Sequence, residues 1–443
     1  MNKEINIGKE KEAETGIRIV ASNDKFLDKF VHRDAFLPEA EEVAREIIKD
    51  VIERGDKAVV DAIQKYEGVK LKPSDLAVEL GNIREMEQGL ARDIVEAIKL
   101  ALGRIKSFAE DSMKKPWNKT TLRGGRVGEF YTPIERVGVY VPGGTAPLIS
   151  TALHTATLAK VAGVKQIVAC TPAGKDGKVN EILLYAMRCA GVNEVYKVGG
   201  AQAIAMMAVG TKTCPKVEKI IGPGNAFVTA AKRAVYGLVS LDQVAGPSEI
   251  AIVADAAAKP RWIAADMLSQ AEHGSGHEKA LLITTSPALA EAVREEITVQ
   301  AALLSRHEMV RRVIKNDGIL IVLAKDLQEA MAVANDFAPE HLEIMTKDAI
   351  TLMKSVKKAG AIFAGPWTPE CVGDFVAGPS HVLPTGGSAA MFNGLTTDDF
   401  RRRHSFVAFS KSDLAETRSA IETLAQLEGL GAHGRSATIR FEA

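Results

Sequence analysis

The sequence is poor in cysteine: four thiols (Cys170, Cys189, Cys214, Cys371) lie far apart along 443 residues, none in a C-x-x-C spacing. That is the usage of a reducing cytoplasm, and it excludes a thiolate zinc finger, so any metal here needs nitrogen and oxygen ligands. Net charge is missing too, with 56 Lys and Arg against 56 Asp and Glu. No whole-chain field therefore favours nucleic acid or an anionic membrane. The run Arg401, Arg402, Arg403 is expected to be a solvated helix end rather than a binding patch. The opening MNKEINIGKEKEAETG is charged and has no apolar signal-peptide core. One uncharged stretch, Val137 to Ala159, is long enough to suggest a membrane span. Its Pro-Gly-Gly turn and scattered Ser and Thr argue against that, because lipid leaves freed backbone groups unsatisfied. The expectation is a cytoplasmic protein with neither nucleic-acid nor membrane partners.

What is present is enough apolar material, 46% of residues, to build a large core across two to four domains. Residues 38 to 115 carry apolar positions at three- and four-residue spacing among Glu, Lys and Ala, which predicts helices. From Tyr131 short β-branched runs (VGVYV, QIVAC, VYKVG, VEKII, IAIVA) alternate with Ala-rich helical segments and glycine turns, the texture of βαβ units around a parallel sheet. A helix is predicted over Ala257 to Glu272, after which ALLITT, ILIVLA, LEIMT and AIFAG resume the rhythm. The fold class is α/β: two successive, incomplete Rossmann-like parallel-sheet modules, 131–245 and 246–390. An N-terminal helical region, 1–130, precedes them, and a C-terminal tail, 391–443, follows with a helix over Leu414 to Leu427.

Chemistry-bearing residues cluster in the second half. AADMLSQAEHGSGH sets Gln270 and His273 three apart near a helix end, hence on one face, where an imidazole and an amide oxygen can share a divalent metal. A surface histidine without a ligand fits the same spacing. His277 lies beyond Gly274 and Gly276, which interrupt the helix. DFAPEHLEIM brings Glu340 and His341 side by side, a carboxylate to activate water and an imidazole to move protons near neutral pH, although an Ala-Pro-Glu-His turn that only caps a helix fits equally. The Gly- and Pro-rich TPECVGDFVAGPSHVLPTGG carries Glu370, Asp374 and His381, and loops of that kind concentrate sites. LEGLGAHGRS sets Glu428 five residues before His433. Finally, GPGNAFVTAAKR after VEKII predicts a strand, a glycine turn and a helix whose first N–H groups suit an anion. That turn lacks the spacing of the dinucleotide fingerprint, and a plain tight turn explains it as well.

Together these segments resemble the histidinol dehydrogenase family. From about Tyr131 to Arg440 the motifs RVGVYVPGG, VGGAQAIAMMAVGT, IGPGNAFV, AGPSE, LSQAEH, APEHLE, TPECVGDF, HVLPTGG and EGLGAHGRS follow in the family's order. Before residue 120 only the general helical character agrees.

The resemblance implies a zinc-dependent, NAD-linked, four-electron oxidation of L-histidinol to L-histidine through the aldehyde. One zinc per subunit would be held by Gln270, His273, Asp374 and His433. Glu340 and His341 would be the catalytic pair. Substrate contacts would fall on Ser248, Gln270, His273, His341, Asp374, His381, Glu428 and His433, and NAD contacts on Tyr140, Gln202 and Asn225. The implied assembly is a homodimer in which the tail, with His433, completes the partner's site. Three positions depart from the family pattern: Ser380 before His381, Phe375 after Asp374, and His154 where an apolar residue is expected. They keep open a related enzyme acting on another small polar alcohol or diol. A zinc hydrolase and a catalytically idle ligand-binding relative are the rivals from other classes.

Overall fold

The runs singled out above become strands for a physical reason: buried on both faces, a parallel strand needs continuous β-branched and aliphatic side chains rather than alternation. In the computed structural model, which describes residues 15–33, 38–143, 147–243 and 246–442, all nine form strands. Glu249–Ala254, for example, is buried at all six positions.

They assemble into two six-stranded sheets. One runs, in spatial order, Ala77–Val78, Glu194–Tyr196, Gln166–Cys170, Arg136–Tyr140, Lys219–Ile221, Ser240–Leu241. The other runs Arg18–Ala21, Ile319–Leu323, Lys279–Thr284, Glu249–Ala254, His341–Met345, Ala361–Ala364. The two orders are the same. A strand that enters in the middle is flanked by its next two successors on one side and the following two on the other, and a strand from the N-terminal region is added at the edge. This is the central part of the doubly wound order, whose reversal point lies between the first and fourth strands of each module. Pairing is parallel throughout the second sheet, and in the first only Ala77–Val78 runs antiparallel to its neighbour.

Helices cover both sheets. Pro38–Arg54, Asp56–Glu67 and Arg92–Ser112 from the N-terminal region lay apolar faces on the first sheet and its helices. The predicted helix at 257–272 is Pro260–Ala271, entered through a proline that needs no N–H partner at that position. The N-terminal region is not only helical, since it lends an edge strand to each sheet.

The tail also differs from expectation. Arg401, Arg402 and Arg403 do not end a helix. They begin the strand Arg401–Ala408, which pairs antiparallel with Arg126–Pro133, itself paired with Trp117–Thr120. The helix predicted over 414–427 is Lys411–Leu427, started by a capping box between Ser410 and Asp413, and a second helix, Gly431–Thr438, packs on it. Asp413 ties this pair to the 121–125 turn through Thr121 (2.6 Å) and the Gly125 N–H (3.0 Å). A literal G-x-G-x-x-G string, Gly429 to Gly434, joins these two helices; without a preceding strand it has no dinucleotide meaning. Among the described residues no helix is long and apolar enough to cross a membrane.

Candidate active site

Two concentrations of polar groups stand at opposite edges of the two sheets. The first is built on the leading residues of the second sheet's strands. Ala338, with a left-handed φ of 47°, ends the helix Leu327–Phe337 and turns the chain into Pro339, Glu340 and His341. A non-glycine residue is strained there, and such strain gathers at working positions. Parallel pairing places His341 opposite Ile250, so the Glu249 backbone serves both neighbours. Its N–H donates to Glu340 Oε2 (2.9 Å), and its carbonyl faces His341 Nδ1 (3.1 Å). With Nδ1 held to that carbonyl, Nε2 is the ring nitrogen that can gain or lose a proton. It points to Asp374 Oδ1 (3.7 Å) and Glu370 Oε1 (3.9 Å). The Glu249 carboxylate is itself clamped by Arg33, whose guanidinium lies 3.9 Å over the Phe337 ring.

Glu370 and Asp374 come from the short helix Cys371–Phe375 and its entry. Glu343 Oε1 accepts the Glu370 N–H (2.7 Å), and Ser269 Oγ donates to Glu370 Oε2 (3.1 Å), which ties this segment to the end of Pro260–Ala271. Asp374 Oδ1 also lies 3.7 Å from His381 Nδ1. His154, fully buried on the first module's helix Ile149–Ala162, reaches across to the Asp374 carbonyl (3.1 Å) and packs its ring 4.8 Å from that of His381.

The electrostatics follow from this crowding. Burial raises the Glu340 carboxyl, opposed by His341. Burial on its own would lower His341, but Glu340, Asp374 and Glu370 outweigh it and the imidazole is raised. Asp374 is likewise raised by burial, yet His341 and His381 together bring it well below the usual carboxylate range. Burial and the adjacent His381 push His154 down to about 3, so it is neutral. His273 is open to solvent at its surface but deep in surrounding protein. That mass lowers its pKa, with Asp374 and His341 both close enough to act on it.

Several polar atoms here have no partner: Gln270 Oε1 and Nε2, His341 Nε2, Glu370 Oε1 and His381 Nε2 are all shut away from water unpaired. Unsatisfied buried groups of this kind cost about 1–3 kcal/mol each, and three of them, on His341, Glu370 and His381, face the Asp374 cluster and ask for a ligand. Ligand atoms of His341, Glu370 and Asp374 lie within 4.8 Å of one another, the spacing of a cation site with nitrogen and oxygen donors. Gln270 sits one turn before His273 (His273 N–H to Gln270 O, 3.3 Å). Ser248 is half-buried one residue before Glu249. Glu428 and His433 are exposed on the tail helices, and among the described residues neither forms an ion pair with this cluster. One chain thus gathers Glu340, His341, Asp374 and His381, with His273 close by, and leaves Glu428 and His433 outside.

The second concentration is a cavity of about 490 Å³ at the carboxyl ends of the first sheet's strands, where Tyr140, Gln202 and Asn225 all meet. Tyr140 ends its strand and its hydroxyl accepts the Gly200 N–H (3.1 Å). Burial raises that phenol, and the Gly200 N–H partly offsets the rise. Asn225 caps the helix Ala226–Val235 through the N–H groups of Phe227 and Val228, both 3.1 Å. The helix start expected to suit an anion is therefore already partly capped from within. Gln202 is buried on Gly200–Val209 and held by Glu67, a residue that no motif singles out. Glu249, Arg33 and Glu343 were missed likewise. His154 stood out only as an odd residue in an apolar stretch.

Comparison with known proteins agrees across the whole architecture. A family model described as histidinol dehydrogenase matches residues 32–441. A histidinol dehydrogenase of Synechococcus sp. is 42% identical over 413 residues, covering 93% of this chain and 93% of the relative. One of Heliobacterium mobile is 43% identical over 397 residues, covering 90% and 92%. The crystal structure of histidinol dehydrogenase from Elizabethkingia anophelis superposes with a TM-score of 0.90 at 30% identity, covering 96% of this chain and 97% of that one.

Proposed function

Since the chain belongs to the histidinol dehydrogenase family, we propose that it oxidises L-histidinol to L-histidine in the cytoplasm, reducing two NAD per substrate, with zinc as its metal. The observation that carries this reading is the set of unpaired buried donors and acceptors on His341, Glu370 and His381 around Asp374, because a polar substrate and a cation would satisfy them together. Gln270, His273 and Asp374, with His433 arriving from a partner subunit, would hold the zinc. Four nitrogen and oxygen donors without thiolate suit a site whose coordination substrate groups extend. The ion, when bound, supplies a fixed positive charge that anchors and orients the substrate's amine and imidazole.

The chain's own residues do the rest. His341 Nε2, the one ring nitrogen not engaged by Glu249, accepts the alcohol proton in the neutral form of the imidazole as hydride leaves carbon for NAD. Glu340, beside it and buried, takes a proton from the water that adds to the aldehyde, and a second hydride transfer yields the acid. Ser248, His381 and Glu428 would bind the substrate, and Tyr140, Gln202 and Asn225 the dinucleotide. Residues 131–245 would then be the cofactor side, 246–390 the catalytic side and 391–443 a dimerisation tail. Exposed Leu424, Leu427 and Leu430 give that tail apolar surface for a second copy. The free cysteines fit a reducing compartment.

The test is a count of NADH formed per L-histidinol consumed by the purified protein. About two are expected from paired hydride steps at one acid–base site. One, with aldehyde accumulating, defeats the four-electron reading. None with histidinol, but turnover of another small alcohol or diol, moves the chain to a different substrate.

A further inference from the structure

Glu67 is the last residue of a helix in the N-terminal region, yet it stands in the wall of the cofactor cavity. Its Oε1 accepts from Gln202 Nε2 at 2.7 Å and from the Gly199 N–H at 3.2 Å. With one amide N–H tied to Glu67, the Gln202 side chain is fixed in orientation, and its oxygen, engaged by no donor among the described residues, can accept from a ligand. Gly200 must lack a side chain for this arrangement, because its φ is +61° and a Cβ would come within 2.8 Å of Gln202 Oε1. Glu67 Oε2 is buried without a donor as well. Among the described residues lining the cavity there is no Lys, Arg or His, and Glu67 is the only carboxylate. Burial raises Glu67, while its two N–H donors favour the ionised form.

We infer that Glu67 sets which dinucleotide this cavity accepts, by fixing Gln202 as an acceptor for a ribose hydroxyl and by making the wall hostile to a ribose phosphate. The inference rests on the reading that the cavity holds the dinucleotide. Ribose hydroxyls donate hydrogen bonds, so unpaired acceptors suit them. A 2′-phosphate only accepts, carries close to two negative charges, and finds no cation here. The ribose in question is that of the adenosine end. Tyr66, Phe227, Pro142 and Pro172 supply flat apolar walls for a base, and no residue of the His341–Asp374 cluster lines the cavity, so the end held there is not the reacting one. Glu67 touches the ligand through Gln202 and is a positioning residue.

The experiment is calorimetric titration of the full chain with NAD and with NADP, without substrate. Glu67→Gln keeps the acceptor oxygen and removes the charge. NADP should gain about tenfold relative to NAD, a shift of about 1.4 kcal/mol. Glu67→Met removes the acceptor, so NAD should weaken about tenfold, and adding Gln202→Leu to that variant should cost little more because the two act as a unit. A merely structural Glu67 would change affinity for both dinucleotides equally, and an unmoved ratio in a folded Glu67→Gln protein overturns the inference alone. A wild-type chain that binds no NAD overturns the inference together with the reading beneath it.

Discussion

The two sheets have the same strand order but collect their polar groups at opposite edges. In the first, Tyr140, Gln202 and Asn225 lie at or just beyond the carboxyl ends of strands, where open parallel sheets ordinarily bind ligands. In the second, Glu249 and His341 are the first residues of theirs. Strand order fixes where a crevice opens, but side chains decide which edge is used. Glycine turns that expose backbone serve the first module. In the second, a strained turn at Ala338 brings two ionisable side chains to the amino edge. The two modules touch at His154, which rises from a helix of the first to meet the Asp374 carbonyl of the second.

If the edges are separable in this way, His341→Asn should reduce turnover by about 10²–10⁴-fold, the usual worth of a positioned acid–base group, while calorimetric NAD affinity stays as in the wild type. Loss of NAD binding alongside turnover would join what the comparison keeps apart. The tail is the next test. Individually inactive His273→Ala and His433→Ala proteins, mixed under confirmed subunit exchange, should recover about a quarter of wild-type activity. Half the random dimers are mixed, and each has one intact site only if His433 is supplied in trans. No recovery would assign His433 to its own subunit.

A smaller effect is expected at Gln270. Gln270→Ala should bind zinc at least about tenfold more weakly, read as metal retained against a chelator, and leave NAD affinity alone. Retention equal to wild type would remove Gln270 from the ligand set and favour Glu370, which the geometry places with His341 and Asp374. The smallest effect is one of pH. Burial raises Glu340 to about 8, so the base form grows as pH climbs through that value. Aldehyde oxidation should rise over the same range, Glu340→Gln should flatten the rise, and alcohol oxidation should be comparatively spared. Equal loss of both steps would refute a separate role for Glu340.

Much of this was legible in the sequence, and for definite reasons. Strands buried on both faces announce themselves as unbroken β-branched and aliphatic runs, so nine of the ten strands after Tyr131 in the two six-stranded sheets are readable, and the two-residue Ser240–Leu241 is not. The spatial order of those strands is not legible, since no local pattern encodes which run pairs with which. Arg18–Ala21 and Ala77–Val78 were too short to stand out before or within helical texture. Glu340, His341, Asp374 and His381 drew notice as polar residues in Gly- and Pro-rich turns. The residues that support them did not, because each works through a distant partner: Glu67 and Gln202 are 135 positions apart, Arg33 and Glu249 216, His154 and Asp374 220. Arg401 to Arg403 misled because a run of charge says nothing of the strand it lies in.

The edge strand Arg18–Ala21 has a consequence in time as well as space. Arg18 meets Asp317 across 299 positions, and Arg33 clamps Glu249 across 216. During synthesis, at about 5–20 residues per second, the segment emerges early and waits many seconds for its partners while the intervening sheet takes shape. Long-range pairing of this kind is slow to form, and an unpaired strand edge is adhesive in the meantime. Chains shortened past Arg33 should therefore assemble the first sheet normally and fail in the second, leaving a protein that aggregates through the vacant side of Ile319–Leu323.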